Sequence, residues 1–144
     1  MPIDREDALK KAEKLLRQGR LDAAIAEYAR IVEQHPRDWT TANLLGDLYV
    51  RAGDRDRAAA QYQRIADHFA SEGFYPKAAA LYKKILKIKP DDEGVQLQLA
   101  DVSARQGLLA DAKAILTAVA RRRRDRGDAA GADEIIVRLG AIDP

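Results

Sequence analysis

The chain has 144 residues, 47% hydrophobic and 33% charged, with 25 Lys and Arg against 23 Asp and Glu and a net charge of +2. That is long enough for a real core, too apolar for a disordered chain, and too nearly neutral to demand a nucleic acid or an anionic membrane. The absence of cysteine excludes disulfides and thiolate metal sites and fits a reducing compartment. No apolar run approaches the ~20 residues of a membrane helix, and MPIDREDALKKAEK at the N-terminus has no apolar signal segment.

Apolar residues recur at helical spacing along the chain, and strand-like alternation is absent. In LDAAIAEYARIVEQHP the apolar face is Leu21, Ala24, Ile25, Tyr28, Ile31 and Val32, the i, i+3, i+4, i+7 pattern of an amphipathic helix. The pattern predicts eight helices, at 4–18, 20–34, 38–52, 54–72, 75–88, 92–106, 108–126 and 128–140. Most links are two to four residues, which forces antiparallel neighbours and hence hairpins. Asp38 and Asp92 can N-cap the third and sixth helices by accepting a backbone N–H. Pro76 suits the first turn of the fifth, where no N–H is needed. Gly19, Gly53, Gly73, Gly107 and Gly127 supply the left-handed residue that ends a helix.

The hairpins repeat. A frame running from Arg5 to Asp38 places small residues at positions 8 and 20 (Ala12, Ala24), glycine at 15 (Gly19), and Tyr28, Ile31 and Pro36 at 24, 27 and 32. A second frame, from Trp39, gives Leu45, Gly46, Tyr49, Gly53, Ala58, Tyr62 and Ile65. Further frames start at 59, 93 and 113, so the spacing runs 34, 20, 34, 20. Helix 54–72 therefore closes one hairpin and opens the next, and helix 108–126 does the same. The full period, 37–90, is a super-repeat of three helices: it aligns with 91–144 without a gap, and 1–36 matches its last two helices. Pro36, Pro90 and Pro144 mark the period, and the chain reads as one domain over 1–144.

These coincident positions resemble the tetratricopeptide repeat (TPR) family over the whole chain. The phrases AEKLLRQGRLDAAIAEY, GDLYVRAGD and KAAALYKKILKIKP are most similar to the N-terminal part of longer bacterial TPR proteins. The resemblance implies an all-α, right-handed α-solenoid of antiparallel helices that acts as a non-catalytic cytoplasmic scaffold. It admits a longer parent chain.

No catalytic or metal constellation stands out, and no cofactor is implied. His35 and His68 are far apart on different helices and read as surface or helix-end residues. No glycine-rich phosphate loop follows a strand. RRRRDR at 121–126 could bind phosphate or an acidic protein, but no aromatic residue interleaves with it. It reads first as a solvated last turn complementing the helix dipole. Trp39 reads as packing at a hairpin junction, with a partner anchor as the alternative. Tyr28, Tyr62 and Tyr82 share repeat position 24 and are assigned to the core.

The resemblance places a concave face on the first helix of each hairpin, at positions 5, 9, 12 and 13. Those positions hold Asn43, Asp47, Val50 and Arg51, then Leu97, Asp101, Ala104 and Arg105, with Gln63 and Asp67 from the shared helix. A protein segment is the expected partner. The carboxylate clamp of some TPR domains, Lys at position 5 and Asn at 9, is absent: Leu9 and Glu13, Asn43 and Asp47, and Leu97 and Asp101 stand there. A different reading makes the chain a self-assembling unit, stacking head-to-tail into an oligomer or filament through Leu9 and Leu16 near one end and Ile135, Val137 and Ile142 near the other.

Overall fold

The computed structural model describes residues 4–142; Pro144, one of the three period-marking prolines, lies outside them. Among the described residues there are eight helices and no strand: α1 (Arg5–Arg17), α2 (Leu21–Gln34), α3 (Trp39–Arg51), α4 (Arg55–Ser71), α5 (Tyr75–Ile88), α6 (Glu93–Arg105), α7 (Leu109–Asp125) and α8 (Ala129–Ile142). The helices α3, α4 and α5 have 13, 17 and 14 residues, and so do α6, α7 and α8. Each of the second three begins one full period after its counterpart: Glu93 after Trp39, Leu109 after Arg55 and Ala129 after Tyr75. The last helix ends at Ile142, two residues beyond the predicted end at 140.

Local chemistry sets the helix ends. The Asp4, Asp38 and Asp92 carboxylates accept backbone N–H bonds from Asp7, Thr41 and Val95 and so cap α1, α3 and α6. Pro76 lies in the first turn of α5. The five predicted glycines all have φ between 74° and 84°. The reversal after each glycine is closed by a bond back into the helix, such as Arg20 N–H to the Leu15 carbonyl at 2.9 Å and Leu108 N–H to the Ser103 carbonyl at 2.9 Å.

The chain divides into two compact units, Met1–Ile65 and Ala66–Pro144, with the division inside α4. In the first, α1 packs on α2 and α2 on α3. Its core holds Tyr28, Ile31, Leu45 and Ile65, each nearly inaccessible. In the second, α5 packs on α6, α6 on α7 and α7 on α8. Ala100, Leu116, Val119, Ala120 and Ile135 form one cluster there. Each large buried aliphatic or aromatic side chain contributes about 1.5–3 kcal/mol. The small residues at repeat position 8 are buried as expected: Ala12, Gly46, Ala66, Ala100 and Ala120. At Gly46 the reason is direct, since a Cβ there would lie 2.6 Å from Tyr62 Cε1.

Candidate functional site

The first unit presents Asn43, Asp47 and Gln63 half-buried and Val50 and Arg51 exposed. Asp47 is a structural acceptor as well as a surface residue: the Tyr62 hydroxyl donates to its Oδ1 at 2.5 Å. The second unit repeats the arrangement. The Tyr82 hydroxyl donates to Asp67 Oδ1 at 2.8 Å, and Gln98 Nε2 donates to the same oxygen at 3.1 Å. Burial raises the Tyr62 and Tyr82 phenols well above the usual value, and the acceptor carboxylates raise them further. Tyr28 is raised as well, by burial and then by the charge of Glu13. An acid at repeat position 9 thus faces a tyrosine at position 24 in three hairpins. In the fourth, Leu116 replaces the tyrosine. Asp101 is exposed and pairs with Arg105 Nε at 3.1 Å, while the Arg105 guanidinium lies 5.8 Å from the Tyr75 ring centre.

Of the predicted concave residues, Asp67, Leu97 and Asp101 line one groove of about 480 Å³ in the second unit, with Tyr82, Gln98 and Arg138. Arg105 is not among its lining residues. Arg138 of α8 was not expected there. Its register relates to no first-helix position, so only the fold reveals it. The groove carries carboxylates from α4 and α6, a guanidinium from α8, a phenol, an amide and an aliphatic surface. That combination suits a polar peptide segment better than an apolar small molecule.

The arginine run is not a free patch. Arg123 Nε donates to Glu93 Oε1 at 2.5 Å and its Nη1 to the Gly131 carbonyl at 3.1 Å. Arg126 Nη1 donates to Glu93 Oε2 at 3.2 Å, and Arg122 donates to the Gln96 amide oxygen. The run keeps the solvated basic last turn expected of it, with Arg121, Arg122, Arg124 and Arg126 exposed, and in addition ties α7 to the start of α6. Burial pushes the Glu93 carboxyl up, but the hydrogen bonds and charges of Arg123 and Arg126 outweigh it and hold the group below the usual range. The first unit uses a related device. Arg5 Nε and Nη2 donate to Asp38 Oδ2 at 2.8 and 2.5 Å, and Thr41 Oγ1 donates to the same oxygen at 2.6 Å. Burial again raises the Asp38 carboxyl, and the bonds from Thr41 and Arg5 bring it below the usual range. Trp39 is half-buried with the Arg64 guanidinium 5.5 Å from its ring centre.

The five terminal residues assigned to self-association differ in exposure. Leu9 and Leu16 are half-buried on α1. Ile135 is buried in the core cluster of the second unit and Ile142 packs against that cluster, because α7 covers this side of α8. Val137, turned the other way, is 72% exposed. No helix among the described residues is long and apolar enough to cross a membrane. Among the same residues no group of three or more His, Cys, Asp or Glu is placed to hold a metal ion.

Two family models, both described as tetratricopeptide repeat, match the chain at residues 9–72 and 69–133. Between them they take in most of its length and overlap at the end of α4. No curated protein sequence matches the chain. Among solved structures, a thermophilic TPR protein of Thermus thermophilus is 17% identical with a TM-score of 0.38, over 98% of this chain and 92% of its own. YrrB, a TPR protein with an unusual peptide-binding site, is 14% identical with a TM-score of 0.39, over 98% of this chain and 87% of its own. The C-terminal TPR-containing domain of a Plasmodium falciparum FK506-binding protein is 18% identical with a TM-score of 0.46, over 95% and 89%.

Proposed function

Because the chain belongs to the tetratricopeptide repeat family, we propose that it is a non-catalytic interaction scaffold that holds a segment of a partner protein on the faces formed by its first helices. The groove of the second unit carries this reading. Asp67, Leu97, Gln98, Asp101 and Arg138 line about 480 Å³ of open space without belonging to the buried core. In the first unit Asn43, Val50, Arg51 and Gln63 offer contacts of the same kind, since none of them is core either. A cytoplasmic setting fits a chain without cysteine.

The experiment is peptide selection from a random display library on the intact chain. The affinity of the selected peptides is then measured for Asp101→Lys and Arg138→Glu, both of which leave the core untouched. At least tenfold weakening in one of them is the expected result. Peptides whose affinity ignores both changes and also Asn43→Ala with Arg51→Ala would defeat the groove assignment. Head-to-tail assembly is the second reading, and one observation favours it, the exposed Val137 on α8. Light scattering over a concentration series tests it: a mass that stays at one chain removes it.

A further inference from the structure

The second unit has another groove, formed by α5, α6 and α7, and the repeat supplies a control for it. It shares no lining residue with the groove of Asp67 and Arg138. It holds about 550 Å³ of space between Pro76, Ala79 and Ala80 of α5, Leu99 and Ser103 of α6 and Ile115 of α7. At the corresponding place the first unit has two smaller spaces, of about 480 and 260 Å³. Every residue lining the larger of the two has its counterpart, one period later, in the lining of the single groove. Ala26 and Ala80, Tyr49 and Ser103, Ala52 and Gln106, and Arg57 and Asp111 are such pairs. Leu45 and Gln61 line only the smaller space, yet their counterparts Leu99 and Ile115 line the single groove too. Tyr49 and Ala29 are the walls that the two small spaces have in common. Ala29 gives way to the larger Lys83, so it is the exchange of Tyr49 for Ser103 that removes the partition.

The polar lining changes with it. Gln106 ends α6 three residues after Ser103, on the same face of the helix. Its Nε2 is buried and has no hydrogen-bond partner among the described residues. Buried donors are ordinarily satisfied, and the counterpart Ala52 carries no such group. In the first unit Arg57 pairs with Asp54 at 3.5 Å. Asp111 and Leu108 stand in their places, so the acid of the second unit has lost its neighbour. Neither Asp111 nor Lys83 makes an ion pair among the described residues, and both are exposed at the groove. The second unit therefore has an apolar slot of the place a phenol ring takes in the first, one buried donor without an acceptor, and a charge of each sign without a partner.

We infer that this groove receives a tyrosine side chain from a segment of a partner protein. The ring takes the place that Tyr49 takes in the first unit, against Ala79, Leu99 and Ile115. Its hydroxyl accepts from Gln106 Nε2, which a phenylalanine cannot offer. An acidic and a basic residue beside the tyrosine meet Lys83 and Asp111. The site does not rest on the function proposed for the groove of Asp67 and Arg138.

The probes are two blocked tripeptides, acetyl-Glu-Tyr-Lys-amide and its reversed sequence, titrated into the isotope-labelled intact chain and followed by backbone amide NMR shifts. Saturable shifts at Ala79, Ser103 and Gln106 are expected with at least one of them. Binding should weaken at least tenfold when alanine replaces the tyrosine and severalfold when phenylalanine does. Ser103→Tyr restores the partition of the first unit and should weaken binding at least tenfold. Ala80→Phe, at an exposed lining position, fills the groove without touching the core and carries the same expectation if the Ser103 variant does not fold. The absence of saturable shifts at the groove, equal binding of the alanine or phenylalanine probe, or affinity indifferent to both variants overturns the inference. Shifts confined to Asp67, Leu97 and Asp101 do so as well, because the peptide then occupies the other groove. So does concentration-dependent association of the chain that the tyrosine probe suppresses, because the occupant is then a second copy.

Discussion

Replacing Glu93 with glutamine asks whether the arginine run at the end of α7 is a structural clamp. The side chains of Glu93 and Arg123 are 21% and 16% exposed, so their contact is largely shielded from water. A hydrogen bond to a charged partner in such a setting contributes about 1.5–3 kcal/mol. The Arg126 contact, with a much more exposed guanidinium, adds no more than about 1 kcal/mol. Arg123 keeps the Gly131 carbonyl and lies 3.6 Å from Glu134, so its charge is not stranded when Glu93 is neutralised. The net loss should be about 1–2.5 kcal/mol, read from urea unfolding followed by circular dichroism. The pH dependence is a second signature. The Glu93 carboxyl is held below its usual value in the folded chain. Its contribution is therefore complete above the unfolded value of about 4.3 and vanishes as pH falls through the lower, folded value. The gap between wild type and Glu93→Gln should be widest above the unfolded value and close as pH falls below it. Equal stability at neutral pH, or a gap that survives unchanged in acid, would refute the clamp.

Gly46→Ala should destabilise the first unit. The new methyl meets the Tyr62 ring at 2.6 Å, and overpacking of about 1–3 kcal/mol outweighs or cancels the helix-propensity gain of about 1 kcal/mol; an alanine variant that melts well above wild type would contradict this. Tyr82→Phe removes the donor from Asp67 and should cost about 0.5–1.5 kcal/mol in denaturant unfolding, less than a core truncation because Gln98 still donates to the same oxygen. Ala66→Leu and Ala120→Leu, at buried positions on α4 and α7, should each cost about 1–3 kcal/mol or more. Unchanged thermal unfolding in both would count against the sharing of α4 and α7.

The helix ends were legible in the sequence because their causes are local. An aspartate shortly before an apolar run, or a glycine after one, acts within a single turn, and Asp38, Asp92, Gly53 and Gly107 behave accordingly. The core tyrosines were legible because burial follows the period. The partners of polar groups were harder. Glu93 and Arg123 lie on different helices far apart in the chain, and no spacing rule couples them. The Asp47–Tyr62 bond was detectable in principle, since an acid precedes a tyrosine by the same interval in Glu13 and Tyr28, Asp47 and Tyr62, and Asp67 and Tyr82. That recurrence mattered because an acid read as partner-facing is already engaged from within. Arg138 entered the groove through the packing of α8 in its own unit, which frame counting along first helices does not reach.

If α4 and α7 each serve two hairpins, as the frames of the sequence indicate, that double duty sets the step by which such a gene can change length. Removing one hairpin's worth of sequence leaves half a helix without the neighbour that its other half was matched to. Removing residues 37–90, a full period, joins Pro36 to Asp91 at the same point of the period where Pro90 met it. The residues of α2 would then be followed by α6 in place of α3, a helix with the same cap and the same buried registers. Duplication obeys the same rule. Viable insertions and deletions in this architecture should therefore come in multiples of three helices, and a chain shortened by one such multiple should still unfold cooperatively.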